Sequence, residues 1–521
     1  MSHLPGTNGR PLVRLASLML TGGLLGAVPA VAHAQQQPEP ATVTTPSGEA
    51  AGQPPASGDT GVTPQDTTHV RTPPADLQNL VEESDQRSRI TIRRLELLEE
   101  RLNGAPARKE GPTLTVDDYS FQIKGADGLN SIRFFLLLQA DQRWFLNDGA
   151  LSDKADTFLI RKIRPGFGGT LFGFTDYRVS PDFAGSTAVL FDAYLDFHPF
   201  SWLRLRLGKF KTALGLERLQ NDAYLEFNER ALTQNLTPQR DVGAELWGDV
   251  AGGILRYNLG IFNGAADNTN PDVDTNHAKD FVGRILLQPF KTDSLKELGS
   301  LGFHFAASIG NRFGTPTSAQ LPTYKSNGQN SIFSYLAPTS GDIPAGTPFA
   351  HLRQTRLNPA VFYYYGGFGI FGEYVRSRQE IQKSNTVVTV SNWAAHGTVS
   401  YAINAKNSWD GASPLTVFDP AKRTWGALQL SLRYNYLKID NDVFGDTADL
   451  VNHPQLADPT KSVRSAQGGA VAVVWIPSNT VRFGVNYEQT HFKGGGALDT
   501  NKVATDRKTE NLLLARVHVK F

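Results

Sequence analysis

One pattern limits what this chain can fold into. From Thr113 to Phe521, short segments alternate apolar and polar residues between clusters of Gly, Asn, Asp and Pro. Ile132, Phe134, Leu136, Leu138 and Ala140 share one face of such a segment, with Gln139, Asp141 and Arg143 on the other. Leu428, Leu430, Leu432, Tyr434 and Tyr436 oppose Gln429, Ser431, Arg433 and Asn435 in the same way. At the end of the chain Leu513, Ala515, Val517, Val519 and Phe521 oppose Arg516, His518 and Lys520. Successive strand residues point to opposite faces, so each segment reads as a strand with one apolar and one charged side.

A soluble sandwich and a membrane barrel both satisfy this pattern. Three features favour the barrel: an export leader, aromatic residues at many segment ends, and a last strand that finishes on Phe521. The expected fold is all-β, a transmembrane antiparallel β-barrel of about 16 strands over residues 113–521, preceded by a short α-helical coiled-coil segment. Those 409 residues leave ~26 for each strand with its half-share of connections, enough for ~10-residue strands and alternating short turns and long loops; eighteen strands would also fit. Long outer loops are expected at 263–280, 311–355, 403–422 and 440–465, all rich in turn formers.

Residues 192–240 break the rhythm. Leu203, Leu205 and Leu207 alternate with Arg204 and Arg206, and the alternation then stops after Gly208. The spacing predicts two wall strands over 192–210 and an overlong loop over 211–240, which sets the bore.

Ahead of the barrel the chain divides by composition. Arg10 and Arg14 precede an apolar run that is short and Gly-rich for a spanning helix, and Ala32-His33-Ala34 suits signal-peptide cleavage, so 1–34 is read as a signal peptide. Residues 35–76, rich in Pro, Gln and Thr, form a disordered linker. In 77–103, Leu77, Val81, Ser84, Ser88, Thr91, Leu95, Leu98 and Leu102 follow steps of four and three, which predicts a periplasmic coiled coil or a single amphipathic helix.

Fifty-one basic residues face 50 acidic ones, and removing Arg10 and Arg14 with the leader leaves 49 against 50, a net charge of −1. No nucleic-acid partner is expected, and any ion preference must be local. The chain has no cysteine, which rules out disulfides and thiolate metal sites. No G-x-S-x-G, H-E-x-x-H or G-x-x-x-x-G-K sequence occurs, so no catalytic residues, no cofactor and no enzyme activity are expected. Asp272, Asp274 and Asn276 open like a calcium loop, but His277 and Gly283 stand at the positions that need Gly and Glu, so no metal site is read there.

Five phrases, spread in order over the barrel region, resemble the phosphate- and polyphosphate-selective porin O and P family of the outer membrane. They are FLIRKIR (158–164), FDAYLDF (191–197), LRLGKFKTALGLER (205–218), WIPSNTVRFGVNYEQTHF (475–492) and LLLARVHVKF (512–521). The resemblance implies a homotrimer of 16-stranded barrels in outer-membrane lipid, with an inward-folded third loop and an arginine ladder leading inorganic phosphate or other small anions to a central site. It puts Arg161 and Lys162 where the family has a pair of constriction arginines, Asp192 at a constriction aspartate, and Arg218 in place of a phosphate-binding loop lysine. Asn221 and Asp222 stand where the family has loop serines, and a carboxylate there would repel a dianion.

Face parity adds Arg143, Arg204, Arg206, Arg256, Arg433, Arg482, Arg516 and Lys520 to the lumen, opposed by Asp141, Asp192, Asp196, Glu373 and Glu488. These could form an anion ladder, or transverse ion pairs that brace the wall. Arg161 and Lys162 are adjacent, so both face the lumen only at a bulge or a strand end. The expected function is passive diffusion of small anions, with a structural or adhesive barrel, or a weakly selective general porin, as alternatives.

Overall fold

The structure, a computed structural model, describes residues 75–104, 111–117, 120–146, 155–274, 276–292, 295–338, 346–446, 448–501 and 503–521. The expected signal peptide and nearly all of the linker lie outside these residues. Two units are present, divided at Gly104. The first is a helix, Ala75–Gly104, whose exposed turns carry i,i+4 pairs such as Arg89–Asp85 at 2.9 Å. Ser84, Ser88, Thr91 and Leu95 of the heptad seam are all exposed, while the side chains of Leu77, Val81, Leu98 and Leu102 lie outside the described set.

The second unit is a closed ring of sixteen antiparallel strands. The first eight are β1 (Ser131–Leu146), β2 (Thr157–Leu171), β3 (Thr175–Asp182), β4 (Val189–Phe197), β5 (Arg204–Phe210), β6 (Asp241–Val250), β7 (Leu255–Phe262) and β8 (Asp280–Leu287). The second eight are β9 (Gly302–Phe313), β10 (Phe349–Tyr365), β11 (Phe368–Lys383), β12 (Thr386–Ile403), β13 (Ala427–Lys438), β14 (Val463–Ile476), β15 (Val481–Leu498) and β16 (Glu510–Lys520). Each pairs with its neighbours, and β16 closes on β1 with Leu514 opposite Arg143 and Val519 opposite Leu138. Backbone bonds between Phe521 and Leu136, at 2.8 and 3.1 Å, finish that seam. A hairpin, Thr113–Asp117 with Ser120–Lys124, lies outside the ring and pairs with the start of β1 below the chain terminus. Closure leaves no edge strand within the ring, which a lipid environment demands.

Burial runs opposite to that of a soluble protein. On β9 and β10, Phe305, Ile309, Leu357 and Val361 point outward and are exposed, while Ser308, Arg312, Arg356 and Asn358 point inward and are buried. Phe200, Trp202, Tyr365, Phe368, Tyr401, Trp425 and Trp475 cluster at the turns near the chain terminus and form an aromatic girdle there, with Phe200 stacked on Trp202 at 5.4 Å.

Connections alternate between the two ends of the barrel. At the end opposite the C-terminus stand the long connections 211–240, 263–279, 314–348 and 439–462. The expected outer loop at 403–422 instead belongs to the terminus end. A two-residue turn at Ser384 and Asn385, with Ser384 at φ +54, takes the outer connection between β11 and β12 and shifts the next one to the other side. Strand length also varies, from 7 residues in β5 to 18 in β12.

Candidate functional site

The loop over 211–240 folds into the lumen. Ahead of it, inside β5, stands Gly208, whose φ of +125 and close approach to the Ala193 carbonyl, 2.2 Å from where a Cβ would stand, admit only glycine. Inside the loop a helical turn, Leu216–Leu219, and a 3₁₀ turn, Leu232–Leu236, hold its shape.

One flank of the loop is fixed by charge. Glu229 meets Arg161 at 2.7 Å, Arg516 at 2.9 Å and Arg143 at 3.1 Å. Asp222 meets Lys162 at 2.8 Å, the loop's own Arg230 at 2.5 Å, and Arg164, which also holds Asp182 at 2.5 Å. Burial pushes both loop carboxyls up, but the converging cations outweigh it and hold each well below the usual carboxylate range. Arg161 and Lys162 reach the lumen together through a bulge: Lys162 pairs with Gln139 and Ile160 with Ala140, leaving Arg161 as the extra residue.

The other flank is fixed by neutral donors and apolar packing. The Gly215 amide donates to Asn358 Oδ1 at 2.9 Å, and Glu226 accepts from Ser400 Oγ at 3.0 Å and Tyr364 Oη at 3.3 Å. Burial without a close cation pushes the Glu226 carboxyl up to about 7. Leu232 and Leu236 join Tyr324, Ile332 and Phe333 of loop 314–348, Val443 and Phe444 of loop 439–462, and Val375 and Val390 of the wall in one buried cluster. That cluster fills one side of the mouth.

The open space lies on the opposite side. A cavity of about 480 Å³ is lined by Arg133, Arg164, Arg178, Arg206, Lys211, Arg240 and Lys520, against Asp192, Asp222 and Asp410. Phe135, Tyr194 and Phe210 supply aromatic walls, with the Arg178 guanidinium 4.0 Å above the Phe135 ring. Asp192 holds Arg240 at 3.2 Å and stands 3.8 Å from Arg178. Lys211 donates to the Gln220 carbonyl at 2.7 Å and makes no direct ion pair among the described residues. Of the guanidiniums lining this cavity, Arg178 and Arg206 keep 41% and 22% of the side chain exposed, whereas Arg164 and Arg240, held by carboxylates, keep 10% and 7%. Arg161 and Arg204 outside the lining are 28% and 22% exposed, and Arg312, Arg356, Arg433 and Arg516 5% or less.

The residues singled out from the sequence are distributed unevenly over this geometry. Asp192, Asn221 and Arg206 line the cavity. Arg161 and Lys162 are turned toward Glu229 and Asp222. Arg218 is buried within the loop, donating to the Gln234 carbonyl at 2.6 Å, and does not line the cavity. Arg204 pairs with Asp176 and Asp196, Arg256 with Asp249 at 2.7 Å, and Arg433 with Glu488 at 2.8 Å. Arg143 and Arg516 share Asp141 and Glu229, and Arg482 donates to the Ala412 carbonyl at 2.6 Å. Sequence reasoning missed Arg164, Arg178, Lys211, Arg240 and Glu229. Strand parity could have found Arg178, whereas the loop residues have no periodicity to read.

A closed strand ring, apolar outside and charged inside, with one loop drawn into its lumen, is the architecture of a porin of the outer membrane. The chain belongs to the family of phosphate-selective porins O and P, whose family model matches residues 137–521. No curated protein matches it. Among solved structures it is similar to the outer-membrane-expressed OmpT of Vibrio cholerae, with 11% identity over 78% of this chain and 100% of that one, at a TM-score of 0.47. It is similar at 11% identity to the outer membrane channel DcaP of Acinetobacter baumannii, over 75% of this chain and 97% of that one, at a TM-score of 0.46. The anion-selective porin from Comamonas acidovorans also shares 11% identity, over 75% of this chain and 100% of that one, at a TM-score of 0.44.

Proposed function

We propose that this porin conducts small anions by passive diffusion, with inorganic phosphate or polyphosphate as the solute, as a homotrimer whose N-terminal helix stands in the periplasm. The observation that carries this reading is the cavity beside the loop, where seven cationic side chains face three carboxylates. Partly hydrated guanidiniums can replace some of an anion's water with several oriented donors, and a series of weak contacts allows release as well as entry. The threefold pairing of Asp222 removes the objection that its charge would repel a dianion. Lys211, which meets a carbonyl rather than a carboxylate, is the cation best placed to serve a solute. Single-channel recording across a chloride gradient tests the reading: an anion-selective reversal potential is expected, and cation selectivity would refute it. In Lys211→Gln the phosphate concentration that half-blocks chloride current should rise several-fold, and an unchanged value would remove Lys211 from the site.

A further inference from the structure

The Glu229 carboxylate sits where three guanidiniums of the barrel wall converge. Arg161 donates through Nε to Oε1 at 2.7 Å and through Nη2 to Oε2 at 3.1 Å, while Arg516 and Arg143 donate through Nη2 to Oε1 at 2.9 and 3.1 Å. Gln329 adds a fourth donor, 3.3 Å from Oε2. This is the forked, charge-assisted ligation that guanidiniums give to any planar or tetrahedral oxyanion. Here the oxyanion is carried by the loop itself. Asp141 shares the Arg143 Nη2, at 3.1 Å, and accepts from Arg516 Nε at 2.6 Å, so three guanidiniums face two carboxylates and the cluster keeps a positive surplus. Arg143 and Arg516 are dry, but Arg161 is 28% exposed, and its edge opens the cluster to water.

We infer that Glu229 is a tethered counter-anion occupying an oxyanion site made by Arg143, Arg161 and Arg516, and that a solute oxyanion must displace it to bind there. The inference rests on the anion-conducting reading and names what sets its solute preference. A carboxylate held by its own chain competes at an effective concentration on the order of millimolar or above. It carries one charge on two oxygens. A phosphate dianion brings more charge and more acceptors to the same fork, so displacement favours multivalent oxyanions over chloride. Return of Glu229 then expels the solute, which keeps occupancy brief, as conduction requires.

The test compares the full-length parent with Glu229→Gln in planar bilayers, adding inorganic phosphate to a chloride electrolyte. Removing the charge while keeping the shape should lower the half-blocking phosphate concentration about tenfold or more, the step that one charge-assisted hydrogen bond supports. An unchanged or raised half-blocking concentration overturns the inference. A Glu229 that merely braces the loop would add current noise on replacement without moving the phosphate dependence. Should Glu229→Gln form no channels, Glu229→Asp, which withdraws the carboxylate by one methylene, carries the test: block between the parental and tenfold values supports the inference, and parental block refutes it. The reversal potential of the parent reports separately on anion preference, so the two readings can fail independently.

Discussion

Replacing Glu226 by Gln should change how the barrel's stability responds to pH. In the folded chain the Glu226 carboxyl is buried against Ser400 and Tyr364, with Glu217 adding repulsion and Arg433 offsetting only part of the burial, and it is pushed up to about 7 from an ordinary value of 4.5. The folded group is the weaker acid, so the unfolded chain gives up its proton first as pH rises. Below pH 4.5 both states are protonated and there is no penalty; between 4.5 and 7 the penalty grows, and above 7 it is complete. At ~1.4 kcal/mol for each pH unit separating the two values, ionising Glu226 costs the folded state about 3 kcal/mol at pH 8. A neutral Gln accepts the same two hydrogen bonds without that cost. Urea unfolding in detergent, followed by tryptophan fluorescence at pH 4.5 and pH 8, measures the effect. Parent and Glu226→Gln should unfold alike at pH 4.5, and the variant should be more stable by about 3 kcal/mol at pH 8. Equal midpoints at pH 8 would mean that water in the lumen solvates the carboxylate, and that this flank of the loop is not the dry joint described above.

Two further outcomes follow from the ion pairs. Asp280 lies between Arg312 and Arg356, at 2.6 and 3.2 Å, with all three side chains at most 5% exposed, so Asp280→Asn should leave buried guanidinium charge uncompensated and cost about 3–5 kcal/mol in the same unfolding assay. Arg218→Ala should leave the half-blocking phosphate concentration within about twofold of the parent while destabilising the loop by about 1–3 kcal/mol, because Arg218 serves the Gln234 carbonyl and does not line the cavity. Weaker phosphate block in that variant would place a solute at Arg218 after all.

Much of the wall was legible because strand periodicity is a local signal. Parity alone assigned Arg143, Arg433 and Arg516 to the lumen, and the break after Gly208 marked the loop, whose observed span runs from the end of β5 at Phe210 to the start of β6 at Asp241. The end of the barrel to which a connection belongs is not local. It depends on counting every turn before it, and Ser384-Asn385 is too short a signal to be counted reliably, which is why 403–422 was expected at the wrong end. Inside the constricting loop nothing repeats. Arg218 and Lys211 are both loop cations seven positions apart, yet one turns into the loop and the other lines the cavity, a difference set by the packing of Leu216 and the 3₁₀ turn rather than by spacing.

The inward arginines differ in exposure by their position around the barrel. On β9, β10 and β13, Arg312, Arg356 and Arg433 are dry, each paired with carboxylates of the wall or of the lumen loops. Removing one partner there would strand a buried charge, so these residues answer mainly to stability. On β2 to β5, Arg161, Arg178, Arg204 and Arg206 keep part of their surface in water, and the shorter strands and the loop's path leave the cavity beside them. Their carboxylate contacts are open to water. The constricting loop joins the two regions, because the same segment that seals one side with Leu232 and Leu236 brings Glu229 and Asp222 to the cations of the other. Both flanks are thus held by one element, and a substitution on its apolar flank should alter the charged flank as well.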